Sequence, residues 1–390
     1  MHQDESPDIE LSVVMPCLNE AATIADALDL ARQFIEQSGL RGEIVVSDNG
    51  STDGSIEIAQ KAGARVVNCR EKGYGFALMG GIQAAHGKYI VMGDADATYD
   101  FREAVPMVKA LMEGADFVMG SRLRGNIAPG AMPSLHRWLG TPVLTRFINY
   151  FFGIRISDCN CGLRAFTRTA YQRMRLISGG MEFASEMIVK AALLKLKVVE
   201  IPCSLHVCRK DRKPHLNTWR DGWRHLRFII LFAPHVVFSL PGWILLAAGA
   251  LLTFPVLFKP ITLLGRVIDY HTLFFGLPLL HLGYQALWFA ALETRFVRFS
   301  GLLEINDNAS PRHNSIEFWL LLGSILLFAG LGCFIAILVI WAHSGFGALS
   351  EVRLGAAGLS LILFGMQTIL SALLAGMLDL KLRRPAPSAK

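Results

Sequence analysis

No CxxC pair occurs in this chain, and its seven cysteines are scattered and odd in number. That pattern fits a reduced, cytosolic setting better than a disulfide framework. Cys159 and Cys161 share one short stretch, but two thiols alone do not make a zinc site. Charge is also scarce, at 18% of residues against 52% apolar. The first ten residues are acidic and polar (Asp4, Glu5, Asp8, Glu10) and carry no signal-peptide pattern, so the N-terminal part is expected in the cytosol. Two nucleotide motifs are missing. Gly81 to Lys88 has the wrong glycine spacing for a phosphate loop, with Tyr89 where Ser or Thr is required. Gly73-Tyr74-Gly75 does not follow a strand with dinucleotide-fingerprint spacing. A P-loop NTPase and a Rossmann dehydrogenase are therefore excluded. The net charge of +6 does not point to nucleic acid, because the basic clusters lie beside apolar segments, as at a membrane surface.

What is present divides unevenly. Up to about Arg227, charged residues and short apolar runs mix as in a globular α/β protein; beyond it, long apolar stretches dominate. Four of these can span a bilayer as helices of about 20 residues. They are Val236–Phe258, Thr272–Leu292, Phe318–Trp341 and Gly355–Leu378. Basic residues collect before the first span (Arg209, Lys210, Arg212, Lys213, Arg220, Arg224, Arg227). They recur between the second and third spans (Arg295, Arg298, Arg312) and in the tail (Lys381, Arg383, Arg384, Lys390). The other two connections hold only Lys259, Arg266 and Arg353. The positive-inside rule then predicts a multi-pass inner-membrane protein with both termini and the catalytic domain in the cytoplasm.

In the first half, strand and helix signals alternate. Leu11–Met15, Glu43–Val46, Ala64–Asn68 and Tyr89–Met92 read as strands. Ala21–Gln37, Ser55–Ala62 and Gly75–His86 read as helices, which predicts an α/β domain with a mostly parallel sheet. Three turns should share the edge at the strand C-termini, where such sheets bind ligands. They are Pro16-Cys17-Leu18-Asn19-Glu20, Asp48-Asn49-Gly50-Ser51-Thr52-Asp53-Gly54 and Asp94-Ala95-Asp96. Asp94 and Asp96 would point the same way if the strand continued through them. Two convergent carboxylates suit a hard divalent cation, which in turn can hold a diphosphate.

These three turns, with Gly120-Ser121-Arg122 downstream and the apolar C-terminal half, resemble the inverting GT-A glycosyltransferases of family 2, in the polyprenyl-phosphate branch. That branch includes dolichol-phosphate mannose synthases and bacterial undecaprenyl-phosphate sugar transferases. The resemblance covers about residues 10–230. It implies a nucleotide-sugar donor, a polyprenyl-phosphate acceptor and Mg²⁺ or Mn²⁺. By it, Asp48 meets the nucleobase, with Asn49 and Asp53 in the same turn, and Pro16, Asn19 and Glu20 flank the nucleoside. Asp94 lies near ribose and metal, and Asp96 ligates the metal. Mannose synthases of the branch carry Gln two residues after the second Asp, where this chain has Thr98, so UDP-glucose is favoured over GDP-mannose. The QxxRW signature of processive synthases is missing, so a single transfer is expected.

Further along, Ser157–Phe166 matches the region that supplies an acceptor-side Asp, here Asp158. A phosphate acceptor is largely ionised at neutral pH and hardly needs a general base. Asp158 is then either a base that is little needed or a group that orients the acceptor or stabilises positive charge on the sugar, with a helix cap or buried bridge to Arg164 as the structural alternative. Arg122 is a second catalytic candidate. Glu182 and Glu186, four apart on one helical face, either border the sugar or form a solvated face. Arg209, Arg212 and Lys213 match the basic segment that closes over the phosphates. Two anions must meet here, so cations between them are required. Trp219, Trp223, Leu226 and Ile230 follow helical spacing beside Arg220, Arg224 and Arg227, which describes an interfacial helix. Leu135–Phe152 is either a second such helix or an ordinary core helix.

The expected organisation is a polar tail (1–10), a GT-A domain (11–205), a basic interfacial segment (206–235), a four-helix transmembrane domain (236–380) and a short tail (381–390). Expected partners are the donor, the lipid acceptor and membrane lipids, without nucleic acid, and with self-association left open. Transfer to a lipid alcohol such as diacylglycerol, and a non-catalytic nucleotide-binding transport or scaffold protein, are the rival readings.

Overall fold

The structure is a computed structural model that describes residues 9–207, 218–233, 235–299 and 316–379. The chain forms two compact units, with the boundary between Phe232 and Ala233.

The first unit begins with β1 (Leu11–Cys17), α1 (Ile24–Ser38), β2 (Gly42–Asp48), α2 (Ser55–Lys61), β3 (Arg65–Asn68), α3 (Tyr74–Ala84) and β4 (Tyr89–Met92). It continues with α4 (Val105–Met112), β5 (Phe117–Ser121), α5 (Thr141–Phe152), β6 (Arg164–Thr167), α6 (Arg168–Met174), α7 (Phe183–Leu193), β7 (Val198–Pro202) and α8 (Thr218–Leu231). Seven strands form one sheet in the order β3-β2-β1-β4-β6-β5-β7. All pair in parallel except β6, which runs antiparallel to both β4 and β5. Both faces are covered, as a parallel sheet requires. Ala27, Leu28, Ala31 and Phe34 of α1 pack on one face with Met107 and Val108 of α4. Leu78 and Ile82 of α3, Ile148 of α5, Ile188 of α7 and Ile229 of α8 pack on the other. The strand order reverses between β1 and β4, so the switch point of the sheet lies directly below the turns that follow those strands.

Pro16 is not in a turn. β1 runs through Cys17, with Pro16 opposite Ser47 of β2. A proline is tolerated there because pairing with β4 stops at Val14, so no partner is deprived of an N–H.

The second unit holds α9 (Leu240–Leu257), a β8–β9 hairpin (Ile261–Leu263 and Arg266–Ile268), α10 (Leu273–Phe299), α11 (Ile316–His343) and α12 (Val352–Asp379). Four helical stretches are long and apolar enough to cross a membrane: Val236–Leu257, Tyr270–Val297, Ile316–His343 and Val352–Asp379. The first matches the expected span but for Phe258, and the other three extend theirs at both ends. Large apolar side chains such as Leu251, Phe254 and Phe328 are exposed on the outer faces, as lipid contact requires.

The four helices associate in two ways. In the α9–α10 and α11–α12 hairpins, glycines face each other across the seam. A Cβ on Gly249 would lie 2.8 Å from the Gly276 carbonyl oxygen, and one on Gly330 would lie 2.6 Å from that of Gly358. Gly242 meets Gly283 and Gly323 meets Gly365 in the same way. Between the hairpins, α10 and α12 meet through polar groups. His281 bridges Ser360 (2.9 Å) and Gln367 (3.2 Å), and the Tyr284 hydroxyl bonds that of Thr368 (2.6 Å).

Candidate active site

The turns after β1 and β2 are laced together. Asn19 takes a left-handed conformation (φ 56°), which Asn tolerates better than most residues. From there its N–H donates to Ser51 Oγ (2.9 Å) and its Oδ1 accepts the Thr52 N–H (2.9 Å). The N–H groups of Glu20 and Ala21 donate to Ser55 Oγ and Asp53 Oδ2, both at 2.9 Å. Burial works against ionisation of Asp53, but bonds from the Ser55 side chain and the Ala21 N–H hold its carboxyl below the ordinary carboxylate range.

Asp48 is buried at the end of β2 and folds back onto its own loop, accepting the N–H groups of Gly50 (2.8 Å) and Ser51 (3.1 Å). The Asn49 side chain donates to the carbonyls of Cys69 and Glu71 and accepts from the Gly73 N–H. Lys72 Nζ donates to the Asn49 carbonyl at 2.6 Å. Sequence reasoning passed over Lys72. A lone lysine in a loop carries no motif, and only folding brings it to this turn.

Asp94 and Asp96 follow β4, but the strand ends at Met92 and both lie in a turn, with Ala97 at φ 55°. Strand alternation therefore does not set their directions. Thr98 caps Asp96 through its N–H (3.0 Å) and hydroxyl (2.6 Å). The Tyr74 hydroxyl, at the start of α3, donates to Asp94 Oδ1 at 3.0 Å. Burial, then the neighbouring Asp94 charge, pushes the Tyr74 phenol well above its usual range, so it stays a donor. Tyr74 was not legible in advance because it sits in an apolar helical stretch. Thr23 Oγ1 donates to the Ala95 carbonyl (3.1 Å) and ties this turn to the start of α1.

Asp158 approaches the same edge. In its loop, Gly162 packs so closely that a Cβ would lie 2.8 Å from Asp94 Oδ2. Asp158 is fully buried and its partner is Arg122, not Arg164. Arg122 Nε and Nη2 grip both carboxylate oxygens (2.7 and 2.8 Å). The N–H groups of Arg122 and Asn160 add one bond each, at 3.1 Å. Arg164 points inward instead and donates to the carbonyls of Cys159, Cys161 and Ala184.

Glu182 and Glu186 are one helical turn apart, the Glu186 N–H donating to the Glu182 carbonyl at 2.9 Å, but only Glu186 is buried. Glu182 occupies the N-cap position of α7, where the adjacent Gly179 carbonyl accepts from Gly75 and Phe76 beside Tyr74. Glu186 is buried, 2.7 Å from buried Lys190, and accepts the N–H groups of Ile177 and Ser178. It is neither solvated nor at the crevice. Arg209, Arg212 and Lys213 lie outside the described residues.

Among the described residues, no group of three or more His, Cys, Asp or Glu forms a metal cage. The Asp94–Asp96 turn still fits Mg²⁺ or Mn²⁺, because Mg²⁺ is held by one or two carboxylates together with substrate phosphates.

The expected helix at 135–152 is a π-helical turn (His136–Gly140) running into α5. One side of α5 packs into the core through Ile148, while Trp138, 75% exposed, and Tyr150, 69% exposed, face outward. On α8, Trp223 is 59% exposed while Ile229 is buried. His225 bonds Ser185 of α7 at 2.7 Å. Both helices are therefore amphipathic, each anchored in the core along one side.

A mostly parallel sheet with acidic turns gathered at its switch point is the architecture of an α/β domain of the GT-A type. The description "Glycosyl transferase family 2" matches residues 12–175, and "Glycosyltransferase family 2 C-terminal transmembrane region" matches residues 307–379. The low-salt glycan biosynthesis hexosyltransferase Agl6 of Haloferax volcanii is 37% identical over 372 residues, covering 94% of this chain and 89% of its own. The chain belongs to glycosyltransferase family 2. It is a glycosyltransferase, and its four apolar helices with the matched C-terminal region make it a membrane protein. A dolichyl-phosphate hexose transferase of the same organism is 29% identical, covering 50% of this chain and 81% of its own. A crystal structure of glucosyl-3-phosphoglycerate synthase from Mycobacterium tuberculosis with Mn²⁺, UDP-glucose and phosphoglyceric acid is also similar. It has a TM-score of 0.49 at 20% identity, covering 58% of this chain and 80% of its own.

Proposed function

We propose that this protein transfers a hexose from a nucleotide-sugar to a polyprenyl phosphate, inverting the anomeric centre in one displacement. UDP-glucose is the favoured donor. The observation that carries the reading is the Asp94–Asp96 turn, tied to α1 through Thr23 and to α3 through Tyr74, and set against the Asp158 loop at Gly162. The names of the Haloferax relatives, a hexosyltransferase and a dolichyl-phosphate hexose transferase, support the same class of donor and acceptor.

In this reading Asp48, Asn49 and Asp53 shape the nucleobase side, and Pro16, Asn19 and Glu20 flank the nucleoside. Asp94 and Asp96 hold Mg²⁺ or Mn²⁺, which supplies positive charge against the departing diphosphate when bound. Thr98 and Tyr74 keep those carboxylates oriented, and Glu182 borders the sugar. Asp158 is not a base. Two guanidinium nitrogens and two main-chain N–H groups occupy both of its oxygens, leaving no site for a proton from the acceptor. None is needed, because a phosphate monoester attacks as its own anion. Asp158 instead presents Arg122, whose Nη1 stays outside the pair and can meet an anionic oxygen. Arg209, Arg212 and Lys213 complete the phosphate clamp. The same filled carboxylate disfavours a lipid alcohol, which would require a base.

The exposed aromatics of α5 and α8, beside Arg220, Arg224 and Arg227, suit headgroup depth in a bilayer. The basic connections favour a catalytic unit and both termini on the cytoplasmic side.

The test uses purified protein in detergent, undecaprenyl or dolichyl phosphate, and labelled UDP- and GDP-sugars, with Mg²⁺, Mn²⁺ or EDTA. Metal-dependent label in the lipid phase from one donor is the expected result. Transfer only to diacylglycerol, or nucleotide binding without any transfer, would sink the reading.

A further inference from the structure

A buried carboxylate on β7 has no part in the site described above. Glu200 stands opposite Met119 of β5, just before the Ser121–Arg122 turn, and its side chain is 7% exposed. Its Oε1 accepts two consecutive main-chain N–H groups, those of Ser157 (2.7 Å) and Asp158 (3.2 Å). Its Oε2 accepts the Ser157 hydroxyl (2.8 Å) and takes Arg124 Nη1 at 3.4 Å.

The proton directions follow. An ionised carboxylate only accepts, so the Ser157 hydroxyl must donate to Glu200. Ser121 Oγ, 2.6 Å from Ser157 Oγ, must then donate to Ser157, while it accepts the Arg124 N–H at 3.2 Å. The chain Ser121 to Ser157 to Glu200 thus runs one way. It joins the turn that carries Arg122 to the loop that carries Asp158.

We propose that Glu200 is a positioning residue for the acceptor side of the site, a role that rests on the reading of Asp158 and Arg122 as acceptor-side groups. Arg122 holds the Asp158 side chain, and Glu200 holds the peptide from which that side chain projects. With both ends fixed, the Arg122 guanidinium has one orientation. Without Glu200, two buried N–H groups lose their acceptor and the loop can shift. The turns after β1, β2 and β4 make no contact with Glu200 among its hydrogen bonds, so donor binding is untouched.

The experiment compares wild type, Glu200→Ala and Glu200→Gln in three readouts. These are steady-state kinetics with polyprenyl phosphate varied, affinity for the nucleoside diphosphate of the working donor, and hydrogen–deuterium exchange of peptides covering residues 155–163. Glu200→Ala is expected to lose roughly 10²-fold in kcat/KM for the acceptor, the scale of a small misplacement of catalytic groups. Nucleotide affinity should stay within about twofold of wild type, and exchange at 155–163 should rise. Glu200→Gln keeps one oxygen for both N–H groups, so it should recover most of the loss, leaving a several-fold defect from the reversed Ser157 bond.

Should Glu200→Ala fail to fold, the several-fold acceptor defect of Glu200→Gln at unchanged nucleotide affinity carries the test. Wild-type acceptor kinetics in the folded variants would overturn the proposal. So would a parallel loss of nucleotide affinity, or unchanged exchange at 155–163. If the wild type itself transfers to no lipid phosphate, the functional reading falls, and the exchange measurement still judges the clamp.

Discussion

The two sides of the catalytic crevice hold their carboxylates by different means. After β1, β2 and β4, Asp48, Asp53 and Asp96 accept N–H groups and hydroxyls of their own or the neighbouring turn, Asp48 and Asp96 buried and Asp53 exposed. Around β5, β6 and β7, Asp158 and Glu186 are fully buried and each is matched by a cation, Arg122 or Lys190. A carboxylate held by neutral donors keeps its negative charge available to a cation from solution. A carboxylate matched by a buried arginine or lysine does not. In the proposed reading, one side receives charge, and the other is a neutralised frame that keeps Arg122 in place.

Removing an internal counter-ion should show this contrast most strongly. Asp158→Ala strands a buried guanidinium and should cost about 3–5 kcal/mol of stability, read by denaturant unfolding, along with transfer activity. Lys190→Met should cost somewhat less, about 3 kcal/mol, because Glu186 keeps two main-chain donors. On the other side the effect should fall on chemistry alone. Asp96→Asn should leave stability within about 1 kcal/mol, because Thr98 can still bond the remaining oxygen. Transfer should nevertheless drop by at least roughly 10²-fold. Equal losses of stability from Asp96→Asn and Asp158→Ala would erase the distinction.

Tyr74→Phe sharpens it further. Transfer should need roughly tenfold more Mg²⁺ for half-maximal rate, as when a group bonded to a metal-ligating carboxylate is lost, with unfolding almost unaltered.

The smallest effect uses one thiol from each side. Burial raises Cys17 to about 11 and Cys159 to about 12, from an ordinary 9.0. The unfolded chain therefore releases these protons first. Their contribution to stability is intact below pH 9 and is lost as pH rises toward 11 and 12. The Tm of Cys159→Ala should fall less steeply over that range than that of wild type.

The first side was largely legible in the sequence, because short β-runs ending in Asp, Asn and Gly declare both strand and turn. Asn19, Asp53, Asp94 and Asp96 lie in such turns, and Asp48 closes the strand before one. The frame was harder to read. Asp158 has Arg164 six residues away in sequence, yet the sheet delivers Arg122 from 36 residues away. Glu182 and Glu186 have the spacing of a helical turn and adopt it, but the tertiary fold buries Glu186 against Lys190. Lys72, Tyr74 and Glu200 carry no local signal, since each acquires its partner only when the sheet assembles. Pro16 reads as a turn former until the early end of β4 explains it.

The glycine seams also bear on biogenesis. Chains are made from the N-terminus onward, so α9 and α10 are both present before α11 exists, and their seam needs nothing that comes later. His281 and Tyr284 on α10 are different: their partners Ser360, Gln367 and Thr368 lie on α12, which is made after α11. Until α12 arrives, a newly inserted first hairpin shows unmatched polar groups to lipid. The membrane half thus has a built-in order, two self-sufficient hairpins and then one polar closure, and a chain truncated before α12 would display its incompleteness to membrane quality control.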